Sequence, residues 1–480
     1  MDLHAADFPE WCHGDKSLPG TRSPHSKGGP IPAEVLGEIF LHCLPGNITP
    51  VCDEAPMLIS HVCSFWREVA FSTPSLWTDL FIFSYSSFRS EYPIPLGKPV
   101  STLVRQWFSR AGATLPLSLG LGRLRDRSSF WKLVDEVILP YATRWRSLQL
   151  SAPWTLVFIP FFRLPPTLLS QLVTLELELE DRFEVEEHSI TAFELSSQLR
   201  RVSISCVSPF AHEHLFPWQQ LTHLSLLERL TPELFVSTFS RCVSLQKGAF
   251  IVVYGQLDLA LSLKPEEGVI FPSLVDLDIT MHHTQQLLLD GFHFPNLKRL
   301  RFRDQDRNHG RVLSSYLTSR LHSVDLSPHL LGQLGNIQNL SLVNNWDVGD
   351  TKSLLTATPW LTVLEINISP DFLEFWEGLM WDPENARQLV PKLQEIIIHL
   401  EDFRDESFSL EETIVDIVYS RQQPRVNSFS IYPNQILSVS VTVYVGSEQF
   451  LRNLEDSFRK RGDFGVRVQV KSVTSTLRII

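Results

Sequence analysis

Apolar residues recur along this chain in a fixed three-then-two spacing, L-x-x-L-x-L, with polar residues between them. The triplets read Trp145-Leu148-Leu150, Leu172-Leu175-Leu177, Leu199-Val202-Ile204, Leu221-Leu224-Leu226, Leu245-Gly248-Phe250, Leu274-Leu277-Ile279 and Leu297-Leu300-Phe302. They continue with Leu321-Val324-Leu326, Ile337-Leu340-Leu342, Leu361-Leu364-Ile366, Leu393-Ile396-Ile398 and Val426-Phe429-Ile431. Their starts lie 27, 27, 22, 24, 29, 23, 24, 16, 24, 32 and 33 residues apart. The last two members of each triplet are two residues apart, the period of a strand with one buried face. Each triplet therefore predicts a short strand followed by a return segment. Several returns end in a proline turn, as in Phe271-Pro272-Ser273-Leu274, Phe294-Pro295-Asn296-Leu297 and Val390-Pro391-Lys392-Leu393, where proline presets the backbone.

A period of about 20–29 residues with one strand per unit is that of a leucine-rich repeat. Such a core grows in one dimension, so 480 residues need not divide into several globular domains. The expected fold is an α/β solenoid: a small helical unit, then a leucine-rich-repeat horseshoe with a parallel β-sheet. Residues 1–29, rich in Gly, Pro, Ser and His, predict a disordered lead-in. Residues 30–82 hold the helical unit, 83–144 a linker with irregular first repeats, 145–435 the repeats, and 436–480 a capping repeat.

Within the helical unit, Ile31-Pro32 opens a helix carrying Val35, Leu36, Ile39 and Phe40, and Pro45-Gly46 stops it. A second helix is expected over residues 55–70, with Leu58, Val62, Phe65, Trp66 and Val69 on one stripe. Thr73-Pro74 then breaks the chain before a Ser75-Leu76-Trp77 turn and a strand at residues 79–83. Further on, helices are expected at residues 101–112 and 128–138, and a strand at residues 115–121.

If each strand buries its leucines, the residues between them face outward. This exposes Glu176 and Glu178, Arg201, Asp276 and Asp278, and Arg299, Arg301 and Arg303 as candidate client-binding residues. Asp276 and Asp278 lie one repeat before the three arginines, so cross-strand ion pairs are the competing expectation. The acidic run from Glu176 to Glu187 reads as a solvated loop.

The formal charge of −12 argues against a general nucleic-acid binder, which needs clustered Lys and Arg. Six cysteines without a C-x-x-C pair indicate neither a zinc site nor a disulfide framework. The longest apolar stretch, residues 152–162, is too short to span a bilayer, and no secretory leader pattern opens the chain. A cytoplasmic or nuclear location is expected, with no membrane contact. No nucleophile elbow, phosphate loop or dinucleotide fingerprint occurs. His282-His283 and His212-x-His214 lack metal-ligand spacing, Gly120-Leu121-Gly122 reads as a turn, and Cys63 as a small core residue. No catalytic residue, metal or cofactor is expected.

The run Ile31-Pro32-Ala33-Glu34-Val35-Leu36-Gly37-Glu38-Ile39-Phe40, the block Val62-Cys63-Ser64-Phe65-Trp66-Arg67 and the block Thr73-Pro74-Ser75-Leu76-Trp77 together resemble an F-box of the fungal, mushroom-type family. The resemblance extends loosely through Leu103–Gly112, Leu115–Leu119 and Arg144–Leu148. The segment between the two helices is longer than in many F-boxes. The resemblance implies docking to the small Skp adaptor, and through it to cullin and RING subunits, with the repeats holding an unknown protein client for ubiquitination. Ile31, Pro32, Val35, Leu36, Ile39, Phe40, Val62, Trp66 and Trp77 are then the adaptor-binding candidates. A unit of this size has too little interior to be stable alone, which independently predicts outward apolar surface. The alternative is a repeat scaffold or sensor with no ligase role, whose helical unit is only an N-terminal cap.

Overall fold

The computed structural model describes residues 31–82, 100–122, 131–152, 159–179, 192–205, 216–253, 268–282, 289–304, 328–343, 348–366, 373–381, 389–400, 410–422, 436, 438–443, 448–461 and 467–472. The expected lead-in, the triplets Leu321-Val324-Leu326 and Val426-Phe429-Ile431, and most of the acidic run lie outside them. So do His212, His214 and His283. The chain forms two units, Met1–Pro217 and Trp218–Ile480.

In the first unit, helices α1 (Ala33–His42), α2 (Met57–Val62) and α3 (Ser64–Phe71) precede a single 3-10 turn, Pro74–Trp77. The helix expected over residues 55–70 is in fact two. Cys63 takes an extended conformation, and its sulfur accepts the Trp66 N–H at 3.4 Å as the cap of α3. Cys63 is exposed, which corrects its reading as a core residue.

Strands β1 (Asp79–Ile82), β2 (Leu117–Leu121), β3 (Trp145–Ala152), β4 (Thr174–Leu179) and β5 (Arg201–Ser205) pair in parallel, in chain order. Helix α4 (Val100–Arg110) connects β1 to β2. The registers place Leu80, Leu119, Leu148, Leu175 and Val202 in one line, and Ile82, Leu121, Leu150, Leu177 and Ile204 in the next. All ten are buried. Gly120 lies inside β2 and not in a turn, and the strand needs glycine there because a Cβ would sit 2.2 Å from the Phe81 ring.

In the second unit, β6 (His223–Leu230), β7 (Lys247–Val253), β9 (Asp276–His282), β11 (Arg299–Asp304), β12 (Asn339–Val343), β13 (Val363–Ile366), β14 (Glu395–Leu400), β15 (Ser438–Val443) and β16 (Arg467–Ser472) form a parallel array. A separate pair, β8 (Val269–Ile270) and β10 (Phe292–His293), lies in the returns. The strand after β11 is β12 and the strand after β14 is β15. β15 carries the rung Ile436-Val439-Val441, all buried, and β16 pairs beyond it.

One repeated contact sets the register. The carbonyl just before each strand accepts two successive N–H groups of the next: Thr222 from Gln246 and Lys247, Gln246 from Val275 and Asp276, Val275 from Lys298 and Arg299. Lys298, Gln338 and Thr362 repeat it. Behind the sheet, Phe235, Phe239, Phe250, Phe271, Phe292 and Phe294 pack ring on ring, Phe239 and Phe271 stacking at 4.4 Å. Gly248 fills the middle place of its triplet because the Phe250 ring occupies that space, 2.8 Å from where a Cβ would stand. Each unit is built as stacked α/β repeats on a parallel sheet, the architecture of an α/β solenoid.

Candidate functional site

The first unit carries an apolar surface on its first three helices. Ile31, Val35 and Ile39 are spaced four residues apart on and just before α1, one face of a helix, and all are exposed. Leu58 and Val62 repeat the spacing on α2, and Phe65 follows on α3. Val62 is 55% exposed. Six of the thirteen exposed large hydrophobics among the described residues fall within these 35 positions, so the surface is concentrated and not a scatter of the ordinary kind. Pro32 is exposed beside them.

The nine sequence candidates divide. Ile31, Pro32, Val35, Ile39 and Val62 face solvent, while Trp66 is half-buried, its ring 5.0 Å from that of Phe40. Leu36, Phe40 and Trp77 are buried, which corrects their assignment to an outer contact. Leu36 and Phe40 lie on the face of α1 next to the Ile31-Val35-Ile39 row, and Phe40 packs there on Trp66 of α3. Trp77 heads a rung, Trp77-Leu80-Ile82, with the spacing of every later triplet. Its indole N–H donates to the Ala70 carbonyl at 2.9 Å and its ring meets Trp107 at 4.8 Å. Leu58 and Phe65 are the members that the candidate set omitted. Both sat on the apolar stripe, and Leu58 stands four residues before Val62.

On the sheet of this unit, Glu176 is half-buried while Glu178 and Arg201 are exposed. Glu178 accepts from the Ser151 hydroxyl at 2.7 Å. In register, Thr174 stands beside Arg201 and Ser203 beside Glu176.

In the second unit the expected cross-strand pairs form. Arg301 and Arg303 both reach Asp278 Oδ2, at 2.9 and 3.1 Å, and Arg299 stands 3.5 Å from Asp276. Two strands on, His399 Nε2 lies 2.9 Å from Glu365 Oε1. This pair was missed in the sequence, since Glu365 and His399 are 34 residues apart and only the strand pairing brings them together. The hydrogen bond from His399 holds the Glu365 carboxyl down to about 2, against partial burial, with help from Ser341 and the charge of Arg301.

A carboxyl depressed in the fold stabilises it above its ordinary value of 4.5, and that contribution fades as pH falls toward 2. Glu365→Gln is therefore expected to lower the unfolding midpoint at pH 7. The gap to the wild-type chain should narrow below pH 4.5 and close near pH 2. A gap independent of pH would show that the carboxylate charge is not what Glu365 contributes.

Arg421 is buried without a carboxylate among the described residues. It donates to the carbonyls of Leu379 at 3.0 and 2.9 Å, Leu389 at 3.1 Å and Val390 at 3.1 Å. Burial pushes its guanidinium down to about 10. Cys242 is buried too, and burial raises its thiol far above the range of a reactive thiolate. Among the described residues, no group of three or more His, Cys, Asp or Glu could hold a metal ion. None of the described helices is long and apolar enough to cross a membrane.

No protein-family model matches this chain, and no curated protein does. One solved structure similar to it is that of the TLR13–ssRNA13 complex, with a TM-score of 0.27 and 13% identity. The similarity covers 68% of this chain and 46% of that one. A likeness at this level says nothing of function. The solenoid architecture rests on the strand pairing within the chain itself.

Proposed function

We propose that the chain is a non-catalytic substrate-receptor subunit of a cullin–RING ubiquitin ligase. Residues 31–77 dock the small Skp adaptor, and the repeats hold a protein client. The observation that carries this reading is the concentration of exposed apolar side chains on α1, α2 and α3, in the residues whose order resembles an F-box. The corrected docking set is Ile31, Pro32, Val35, Ile39, Leu58, Val62 and Phe65, with Trp66 at its margin. The chain breaks no bond. It raises the concentration of client near the transfer machinery by tethering both.

The test is binding of the purified chain to a purified Skp adaptor. Ile39→Asp and Val62→Asp alter exposed side chains, so each is expected to leave the fold intact and weaken binding by at least about thirtyfold, the effect of losing a hot spot of about 2 kcal/mol. A wild-type chain that ignores the adaptor would overturn the ligase reading.

One observation favours a second reading, a repeat scaffold whose helical unit is an end cap. The Phe81 N–H on β1 donates to the Ile48 carbonyl at 2.7 Å, so the loop between α1 and α2 covers the edge of the first strand, as a terminal cap does. Under that reading the chain is stable alone and both Asp variants behave as wild type.

A further inference from the structure

On the second unit, the three rows in line with Arg299, Arg301 and Arg303 across β7, β9 and β11 carry four cations against two carboxylates. The registers align Lys247, Asp276 and Arg299 in one row and Ala249, Asp278 and Arg301 in the next, with Ile251, Thr280 and Arg303 in the third. Asp278 is shared by two arginines, and Asp276 has a cation in register on either side. The nearest further acid across β12 is Glu365, already hydrogen-bonded to His399. The surplus charge points outward: the side chains of Arg299 and Arg303 are 59% and 48% exposed. Arg303 presents one nitrogen to Asp278, which leaves most of its five N–H donors directed elsewhere.

The row is also spaced for a particular ligand. Arg299, Arg301 and Arg303 alternate along one strand, so they stand roughly 6.6 Å apart. Acidic side chains at alternate positions of an extended peptide repeat at the same interval. The rungs on either side offer little obstruction, since Ala249 lies next but one to Arg301 and Ser341 next to it. Such a peptide cannot add a strand here, because β11 is already paired on both sides. It can only lie across the side chains.

We propose that Arg299, Arg301 and Arg303, with Lys247 at the flank, form a docking ladder for an extended acidic peptide segment of a client protein. Arginine forks receive its alternate carboxylates, an arrangement suited to bidentate pairing. This rests on the client-binding half of the reading above and is independent of its adaptor half.

The experiment uses the full chain without any adaptor, so a failed adaptor assay leaves it untouched. Fluorescence anisotropy compares a labelled peptide of alternating Glu and Ser with the same peptide bearing Lys for Glu. The Glu peptide is expected to bind and the Lys peptide not. The double substitution Arg299→Glu with Arg303→Glu, which spares the Arg301–Asp278 pair, is expected to weaken binding by at least about tenfold. Asp276→Asn releases Arg299 and is expected to tighten binding by about twofold to fivefold. Equal binding of both peptides would overturn the proposal, as would indifference to the double substitution or to Asp276→Asn. So would a preference for a uridine oligonucleotide over the Glu peptide.

Discussion

Arg421→Met is expected to lower the unfolding free energy by about 2–5 kcal/mol, the scale for leaving two buried carbonyls without a donor. Methionine fills much of the same volume but donates nothing. Three buried main-chain carbonyls then lose its N–H groups: those of Leu379 and Leu389, and that of Val390, which keeps the Leu393 N–H at 3.1 Å. One of these belongs to a residue with unusual backbone geometry. Val390 has φ of 43°, a region that costs a β-branched residue of order 1–3 kcal/mol, and Arg421 is one of the contacts holding it there. Urea unfolding of the variant measures the loss, and hydrogen exchange locates it. Amides near Leu379 and Val390 should lose protection first. A loss below about 1 kcal/mol would mean that water or the backbone replaces the guanidinium, and that the four bonds are incidental.

The repeat architecture was legible because burying one face of a strand imposes a two-residue period that no other element shares. Ten of the twelve triplets lie among the described residues, and each forms a rung where the spacing placed it. The two outside them, at 321 and 426, had neighbours 16 and 33 residues away, and the strand pairing passes directly from β11 to β12 and from β14 to β15. The rung at Ile436-Val439-Val441 carries the same pattern and falls in the segment read as a capping repeat. Spacing proposes rungs, and only the pairing chooses among competing ones.

The candidate sites were less legible, for a different reason. Periodicity shows that a residue is apolar and which helix face it occupies, but not what covers that face. On α1 two apolar faces meet, Ile31-Val35-Ile39 and Leu36-Phe40, and the sequence alone does not say which one packs on α3. The break at Cys63 was hidden because the apolar stripe runs straight through it. Arg421 was invisible as well: an arginine in the last turn of a helix normally reads as a solvated end. By contrast, the Asp276, Asp278 and arginine rungs were placed correctly, since alternation along a strand fixes both face and register once the core triplet is known.

Trp77→Ala is the substitution that separates docking from support. Trp77 is fully buried, hydrogen-bonded to Ala70, packed edge-on against Trp107, and covered by the Arg110 guanidinium at 4.6 Å. Removing an indole from such a site is expected to cost about 3–5 kcal/mol. Val62→Asp changes an open position and is expected to move stability by no more than about 0.5 kcal/mol. If the helical unit both caps the sheet and docks the adaptor, the two variants fail differently. The tryptophan variant should lose binding only in proportion to its unfolded fraction, and recover it where urea unfolding shows the chain still folded. The valine variant should remain folded by the same measure and bind at least about thirtyfold more weakly at every temperature. Were Trp77→Ala to lose binding while keeping wild-type stability, the ring would be an adaptor contact after all, and its burial here would have to be relieved in the complex.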